Sequence, residues 1–327
     1  MDHDFEEGAQ REQPDLETTL NALIAGEAEE GMNSVVYYGL SGLPEANVSQ
    51  FTTVWDSLSP EYRRRVIRDL ADVGETNFDL DYRTIGWLAL LDADAEVREA
   101  AIDLLWEDDT VSLMDRLIQT ALSDESVSVR AAAASALGRF ILLGEIGDLP
   151  DRETARAQDA AIRLLTDLTE DIDVRRRALE AIANSSHEIV VGAIREAHSS
   201  PDQRMRISSI FAMGRTCDEQ WNDDVLQALE SDDLEMRYEA ARAAGELGLE
   251  SALSQLRSLA FDADREIKEA AIWSLGEIGG NEAVRVLQLL AQDAENNDDE
   301  ELLEAIEDAL GNATLGGDQF YMMRLDD

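Results

Sequence analysis

One short phrase recurs along this chain of 327 residues: an apolar residue, a basic residue, a run of small residues and often a glycine. It stands at Val97-Arg98, Val129-Arg130, Val174-Arg175, Met205-Arg206, Met236-Arg237 and Ile267-Lys268, and the last four basic residues follow one another at intervals of 31. A fixed period of that length restricts the chain to a stack of near-identical units, because a single unit cannot cover its own apolar face.

The positions around the basic residue show what each unit is. Four residues before it stand Asp94, Ser126, Asp171, Asp202, Asp233 and Asp264, side chains whose oxygens accept the free N–H groups of a helix's first turn. Three residues after it all six copies carry Ala or Ser, from Ala101 to Ala271. The residues one before, four after and seven after complete an apolar stripe at helical spacing. Gly138, Gly214, Gly245 and Gly276, eight after, mark either the end of the close-packed segment or a C-cap. Each phrase therefore opens the second helix of a helical hairpin. First helices are expected at 111–122, 160–168, 188–197, 222–229, 251–259 and 282–290.

The pattern resembles HEAT repeats, and most closely the bacterial HEAT-like repeats first recognised in phycobilin lyases. The likeness is carried by Asp262-Ala-Asp-Arg-Glu-Ile-Lys-Glu-Ala-Ala-Ile-Trp-Ser-Leu-Gly276 and Asp92-Ala-Asp-Ala-Glu-Val-Arg-Glu-Ala-Ala101. It implies an all-α fold, an α-solenoid of stacked antiparallel helical hairpins whose second helices line the concave side, with an Arg–Asp ladder bridging neighbours. The expected organisation is an acidic flexible segment at 1–14, capping helices and a degenerate repeat at 15–80, the repeat array at 81–311 and a tail at 312–327. The degenerate repeat is Tyr62-Arg63-Arg64-Arg65, with Pro60 at its first helical position. The step from Arg130 to Arg175 is longer than the others and is read as about half a hairpin of extra chain, entering at 144–151.

Composition narrows the function classes. The net charge is −44, and Lys268 is the single lysine among 27 basic residues. Such arginine bias fits a GC-rich genome or adaptation to salt. The acids are spread rather than blocked, which favours a solvated, self-repelling surface and a monomer; a surface for cationic partners is the alternative. The same field opposes binding to nucleic acid, whose affinity comes from basic side chains. Arg63-Arg64-Arg65 and Arg175-Arg176-Arg177 are the densest basic runs and are expected to pair with neighbouring acids. One cysteine, Cys217, excludes an intramolecular disulfide and a cysteine zinc site. The acidic start lacks the features of a signal peptide, and no apolar run reaches the ~20 residues of a membrane helix, so a cytoplasmic protein with no membrane partner is expected.

No catalytic, cofactor-binding or metal-binding residue is assigned. His3, His187 and His198 are the whole imidazole supply. His187-Glu188 is similar to the His-Glu pairs that bind two irons in deoxyhypusine hydroxylase, a HEAT-like protein that needs several such pairs. Without a phosphate loop, zinc-protease spacing or nucleophile elbow, the reading is a non-catalytic scaffold with a protein partner. A phycobilin lyase-like or chaperone role on a tetrapyrrole protein is the alternative, and a metal-dependent hydroxylase the second alternative.

The candidate binding residues are those the phrase leaves free. Positions one and five after the basic residue lie roughly opposite the apolar stripe. They are Glu99 and Asp103 in one early repeat, but Ile207 and Phe211, Tyr238 and Arg242, then Glu269 and Trp273 in three later ones. Ile207, Phe211, Tyr238, Arg242 and Trp273 are therefore the expected partner-binding patch. The competing expectation is that they fill the seam between second helices. A second candidate is the apolar tail at 319–325, which either caps the last repeat or docks a partner.

Overall fold

The computed structural model describes residues 13–29 and 31–323. The chain divides into two units, Met1–Ala136 and Leu137–Asp327, with the division falling inside a helix. The first unit holds α1 (Leu16–Glu29), α2 (Ser34–Leu40), α3 (Val48–Trp55), α4 (Pro60–Thr76), α5 (Arg83–Ala89), α6 (Ala95–Leu104), α7 (Val111–Ser123) and the start of α8 (Val127–Glu145). The second holds the rest of α8, then α9 (Asp151–Thr166), α10 (Ile172–Ile182), α11 (Ile189–His198), α12 (Gln203–Arg215) and α13 (Asn222–Ala228). It continues with α14 (Leu234–Glu246), α15 (Leu253–Leu259), α16 (Arg265–Ile278), α17 (Gly280–Asn296) and α18 (Glu300–Met323). Among the described residues no strand occurs, and each unit is built as an all-α solenoid segment of stacked hairpins.

The helix starts are where the aspartates place them. Asp94 accepts from the backbone N–H of Glu96 and Val97, Asp264 from those of Glu266 and Ile267. Asp171, Asp202 and Asp233 each accept one first-turn N–H, and each such cap is worth ~1 kcal/mol. Ser126 lies just before α8, where its hydroxyl meets that of Ser128 at 3.1 Å. Ser59 and Pro60 open α4 as the degenerate repeat requires. The apolar stripe is the core: Val97, Val129, Val174, Ile210, Ile272 and Leu275 are all buried.

The basic residue of the phrase is structural. One guanidinium nitrogen donates to the carbonyls just behind the helix start: Arg98 to Asp92 and Ala93, Arg130 to Asp124 and Glu125, Arg206 to Ser200 and Pro201, and Arg237 to Ser231. It thereby satisfies carbonyls left open where the preceding helix ends. Where the next repeat carries Asp at the matching loop position, a ladder also forms. Arg98 binds Asp124 through two nitrogens at 2.8 and 2.9 Å, Arg63 reaches Asp92 at 3.1 Å, and Arg237 reaches Asp262 at 3.7 Å. The basic runs pair with acids as expected: Arg64 with Asp94 and Glu96, Arg176 with Asp173, Arg177 with Glu180.

The glycines are not C-caps. Gly138, Gly214, Gly245 and Gly276 all lie inside their helices, where the next second helix comes too close for a side chain. A methyl group at Gly214 would stand 2.8 Å from Ala243 Cα, one at Gly245 2.9 Å from Ser274 Cα, and one at Gly276 2.9 Å from Ala309 Cα. In the middle of these seams Ser274 turns its hydroxyl onto the Ala241 carbonyl of α14 at 2.7 Å.

One further expectation is changed. The long step between Arg130 and Arg175 adds no separate half-hairpin. It lengthens α8 and α9 to 19 and 16 residues, joined by a tight turn in which Gly147 takes φ 87°. α8 is also long and apolar enough, by length and composition, to match a membrane span, but Leu137, Phe140 and Ile141 of that helix are fully buried in protein. The glycine-containing tail does not break the final helix, since α18 runs on through Gly316 and Gly317 to Met323. The N-terminal segment up to residue 12, with His3, and the last four residues of the tail lie outside the described residues.

Candidate functional site

The second helices α10, α12, α14, α16 and α18 lie side by side in the second unit, because each glycine of one seats against a small residue of the next. Equivalent positions therefore line up across the seams. Ile207 does not reach the surface: it is 4% exposed, and so stands apart from the other four expected patch residues. Phe211, Tyr238, Arg242 and Trp273 are half-buried and come together around two adjoining cavities.

The smaller cavity, about 180 Å³, is lined by Phe211 and Arg215 of α12 and by Tyr238, Glu239, Arg242 and Glu246 of α14. The larger, about 610 Å³, lies between α14, α16 and the start of α18, with Tyr238, Arg242 and Trp273 on its walls and Glu266, Glu269 and Asp308 among its acids. Tyr238 and Arg242 belong to both. The Arg242 guanidinium lies 3.8 Å from the centroid of the Trp273 ring, a close cation–π pair. The Trp273 ring stands where a side chain on Gly245 would be, 2.7 Å from the nearest ring atom. Trp273 is thus fixed by the bare backbone of α14 and by Arg242, a preorganised aromatic wall.

Polar groups nine residues after Arg175, Arg206 and Arg237 form a ladder on the same face. Arg215 donates to Asn184 Oδ1 at 3.0 Å and to Glu246 Oε1 at 2.9 Å, tying α10, α12 and α14 together. Asn312 donates to Glu277 at 3.4 Å, joining α18 to α16. Glu180 is buried, accepting from the Ser208 hydroxyl and from Arg177. Glu239 differs from these acids, because its carboxylate accepts no hydrogen bond and joins no ion pair among the described residues. Burial, with the carboxylates of Glu180 and Glu235 nearby, pushes its carboxyl up to about 7 against the opposing pull of Arg177 and Arg242.

The histidines are engaged elsewhere. His187 Nδ1 accepts the backbone N–H of Ile189 at the start of α11, and His198 lies between Ser209 and Asp224 at 3.3 and 3.7 Å. Among the described residues no three His, Cys, Asp or Glu side chains converge as metal ligands. The first unit carries its own concave region, missed in the sequence, where two cavities share Arg83 and Asp108. There Trp87 donates from its indole to Asp108 at 2.9 Å, and Phe78 stands exposed.

Stacked hairpins with a common capping and seam chemistry define an α-solenoid. The family model described as HEAT repeats matches residues 222–311, and that of the HEAT repeat matches 113–143. The chain thus carries HEAT repeats over those residues. No curated protein matches it in sequence. Among solved structures it is similar to the complex of CpcE and CpcF of phycocyanin lyase from a Nostoc species, at 19% identity over 72% of this chain and 90% of that one, with a TM-score of 0.54. It is also similar to human deoxyhypusine hydroxylase in complex with glycerol, at 17% identity over 90% and 97% of the two chains, TM-score 0.36. Importin beta matches at 14% identity over 91% of this chain and 46% of that one, TM-score 0.43.

Proposed function

We propose that this protein is a non-catalytic scaffold that binds a protein partner on the face formed by α12, α14, α16 and α18. The observation carrying this reading is the pair of adjoining cavities that share Tyr238 and Arg242. Half-buried aromatic and arginine side chains, held rigidly and surrounded by polar groups, are the residues that dominate binding energy at protein interfaces. The repeat's own chemistry supports it as well. The aspartate caps, the arginines and the seam glycines are engaged in stacking, which leaves the free positions for recognition.

Affinity capture from cell extract, with wild-type protein and the Trp273→Ala and Phe211→Ala variants, tests the reading. Partner recovery is expected to fall at least about tenfold in either variant, the effect of losing ≥ ~1.4 kcal/mol at a binding hot spot. Unchanged recovery with folded variants would refute it. A second reading, service on a tetrapyrrole protein, draws on the likeness to the CpcE–CpcF complex, which extends to fold. It predicts a colour change or adduct on incubation with bilin and an acceptor protein.

A further inference from the structure

Glu239 presents an unusual arrangement: a largely buried carboxylate facing an open cavity, with no partner among the described residues. Burying a charge is costly unless an opposite charge or a set of donors meets it. The two arginines that line the same cavity form no ion pair with Glu239: Arg215 is held by Asn184 and Glu246, and Arg242, which attracts Glu239, lies over Trp273. On the α10 side, Arg177 is bound to Glu180, and Glu235 adds a further acid from α14 itself. We infer that the smaller cavity receives the cationic head of an arginine or lysine from an extended partner segment, with Glu239 as its counter-charge. A neighbouring apolar side chain of that segment lies against Tyr238 and Trp273 in the larger cavity. This rests on the partner-binding reading of the same face.

Size, connection and charge agree. The smaller cavity, about 180 Å³, has room for roughly six waters at ~30 Å³ each, and so for a guanidinium or ammonium head. Because the two cavities share Tyr238 and Arg242, one extended segment can place alternate side chains in both. Glu266 and Asp308 at the larger cavity and the overall charge of −44 draw a basic segment toward this face. An acidic segment would face the same field with the wrong sign. A purely apolar one would leave Glu239 uncompensated.

The test uses three labelled six-residue peptides of alternating sequence, leucine–arginine, leucine–citrulline and leucine–glutamate, titrated by fluorescence anisotropy in moderate salt. The leucine–arginine peptide is expected to bind saturably, and citrulline, which removes all three charges, to weaken it by at least about tenfold, the ~1.4 kcal/mol of the one charge-assisted contact at Glu239. Glu239→Gln should cause a similar loss, whereas Glu125→Gln, at an exposed acid of the first unit, should cause none. Equal effects of the two substitutions would mean diffuse attraction to an acidic surface and would overturn the inference, as would tighter binding of the glutamate peptide. Loss of binding in Trp273→Ala but not in Glu239→Gln would overturn the cation site and leave the partner-binding face standing. Insensitivity to both would remove both.

Discussion

Replacing Glu239 by Gln keeps the side chain's shape and removes its charge at every pH. In the folded chain the carboxyl is pushed from 4.5 up to about 7, first by burial and then by Glu180 and Glu235. A carboxyl raised in this way binds its proton more tightly when folded than when unfolded. Its cost to stability therefore accumulates as pH rises from 4.5 to about 7 and stays constant above that. At ~1.36 kcal/mol per pH unit the full shift would amount to ~3 kcal/mol, and screening by the solvent that still reaches the side chain brings this to about 1–2 kcal/mol. Glu239→Gln should thus gain little at about pH 5 and melt roughly 2–6 °C above the wild type at about pH 8. Thermal melts followed by far-UV circular dichroism, read as variant minus wild type, cancel the titration of the many other acids. An equal increment at both pH values would refute the reasoning, since it would mean that the carboxyl titrates as an ordinary surface acid.

The remaining predictions concern the stack. Arg98→Met should lower stability by roughly 3 kcal/mol, because it strands half-buried Asp124 and two carbonyls, while Arg206→Met, which loses carbonyl contacts only, should cost about 1 kcal/mol; denaturant midpoints separate them. Gly245→Ala forces a methyl onto the Ser274 backbone and should cost about 1–3 kcal/mol. Gly192→Ala, inside α11 with nothing within 4 Å of the new methyl, should instead stabilise by about 0.5–1 kcal/mol.

Most of the fold could be read from the residues because its determinants are local and repeated. A cap at Asp94 or Asp264 is a contact across two or three residues, and six copies of one stripe leave little choice of period. The glycines were harder. Their position eight residues on matches a helix end as well as a close approach, and only the next helix, with Ala243 or Ser274 opposite, separates the two. The same limit explains the step after Arg130. Counting residues measures added chain, yet does not say whether it becomes a new element or longer α8 and α9. At the candidate site, Phe211, Tyr238, Arg242 and Trp273 lie together because equal helical angles on adjacent repeats coincide in space. Ile207 shared that angle and still turned inward, since a seam has two walls and the helical wheel shows one. Glu239 and the Asn184–Arg215–Glu246 ladder went unseen for a chemical reason: in so acidic a chain one more glutamate carries no signal. What distinguishes Glu239 is the lack of a partner, a property of three dimensions.

The seam between a glycine and the small residue that follows it one helix later has a consequence for how such a chain can change. Removal of 218–248, one 31-residue period, would set Gly214 opposite Ser274 in place of Ala243, and Arg215 opposite Glu277 in place of Glu246. Both substitutes are of the same kind, so the backbone would close over the cut. Loss of any fraction of a period would instead bring bulky side chains against bare helix. Such a chain is editable by the whole module, and each edit brings different free positions side by side: here Phe211 beside Trp273, with Arg242 and Glu239 gone. The architecture would survive while the recognition surface became a new one.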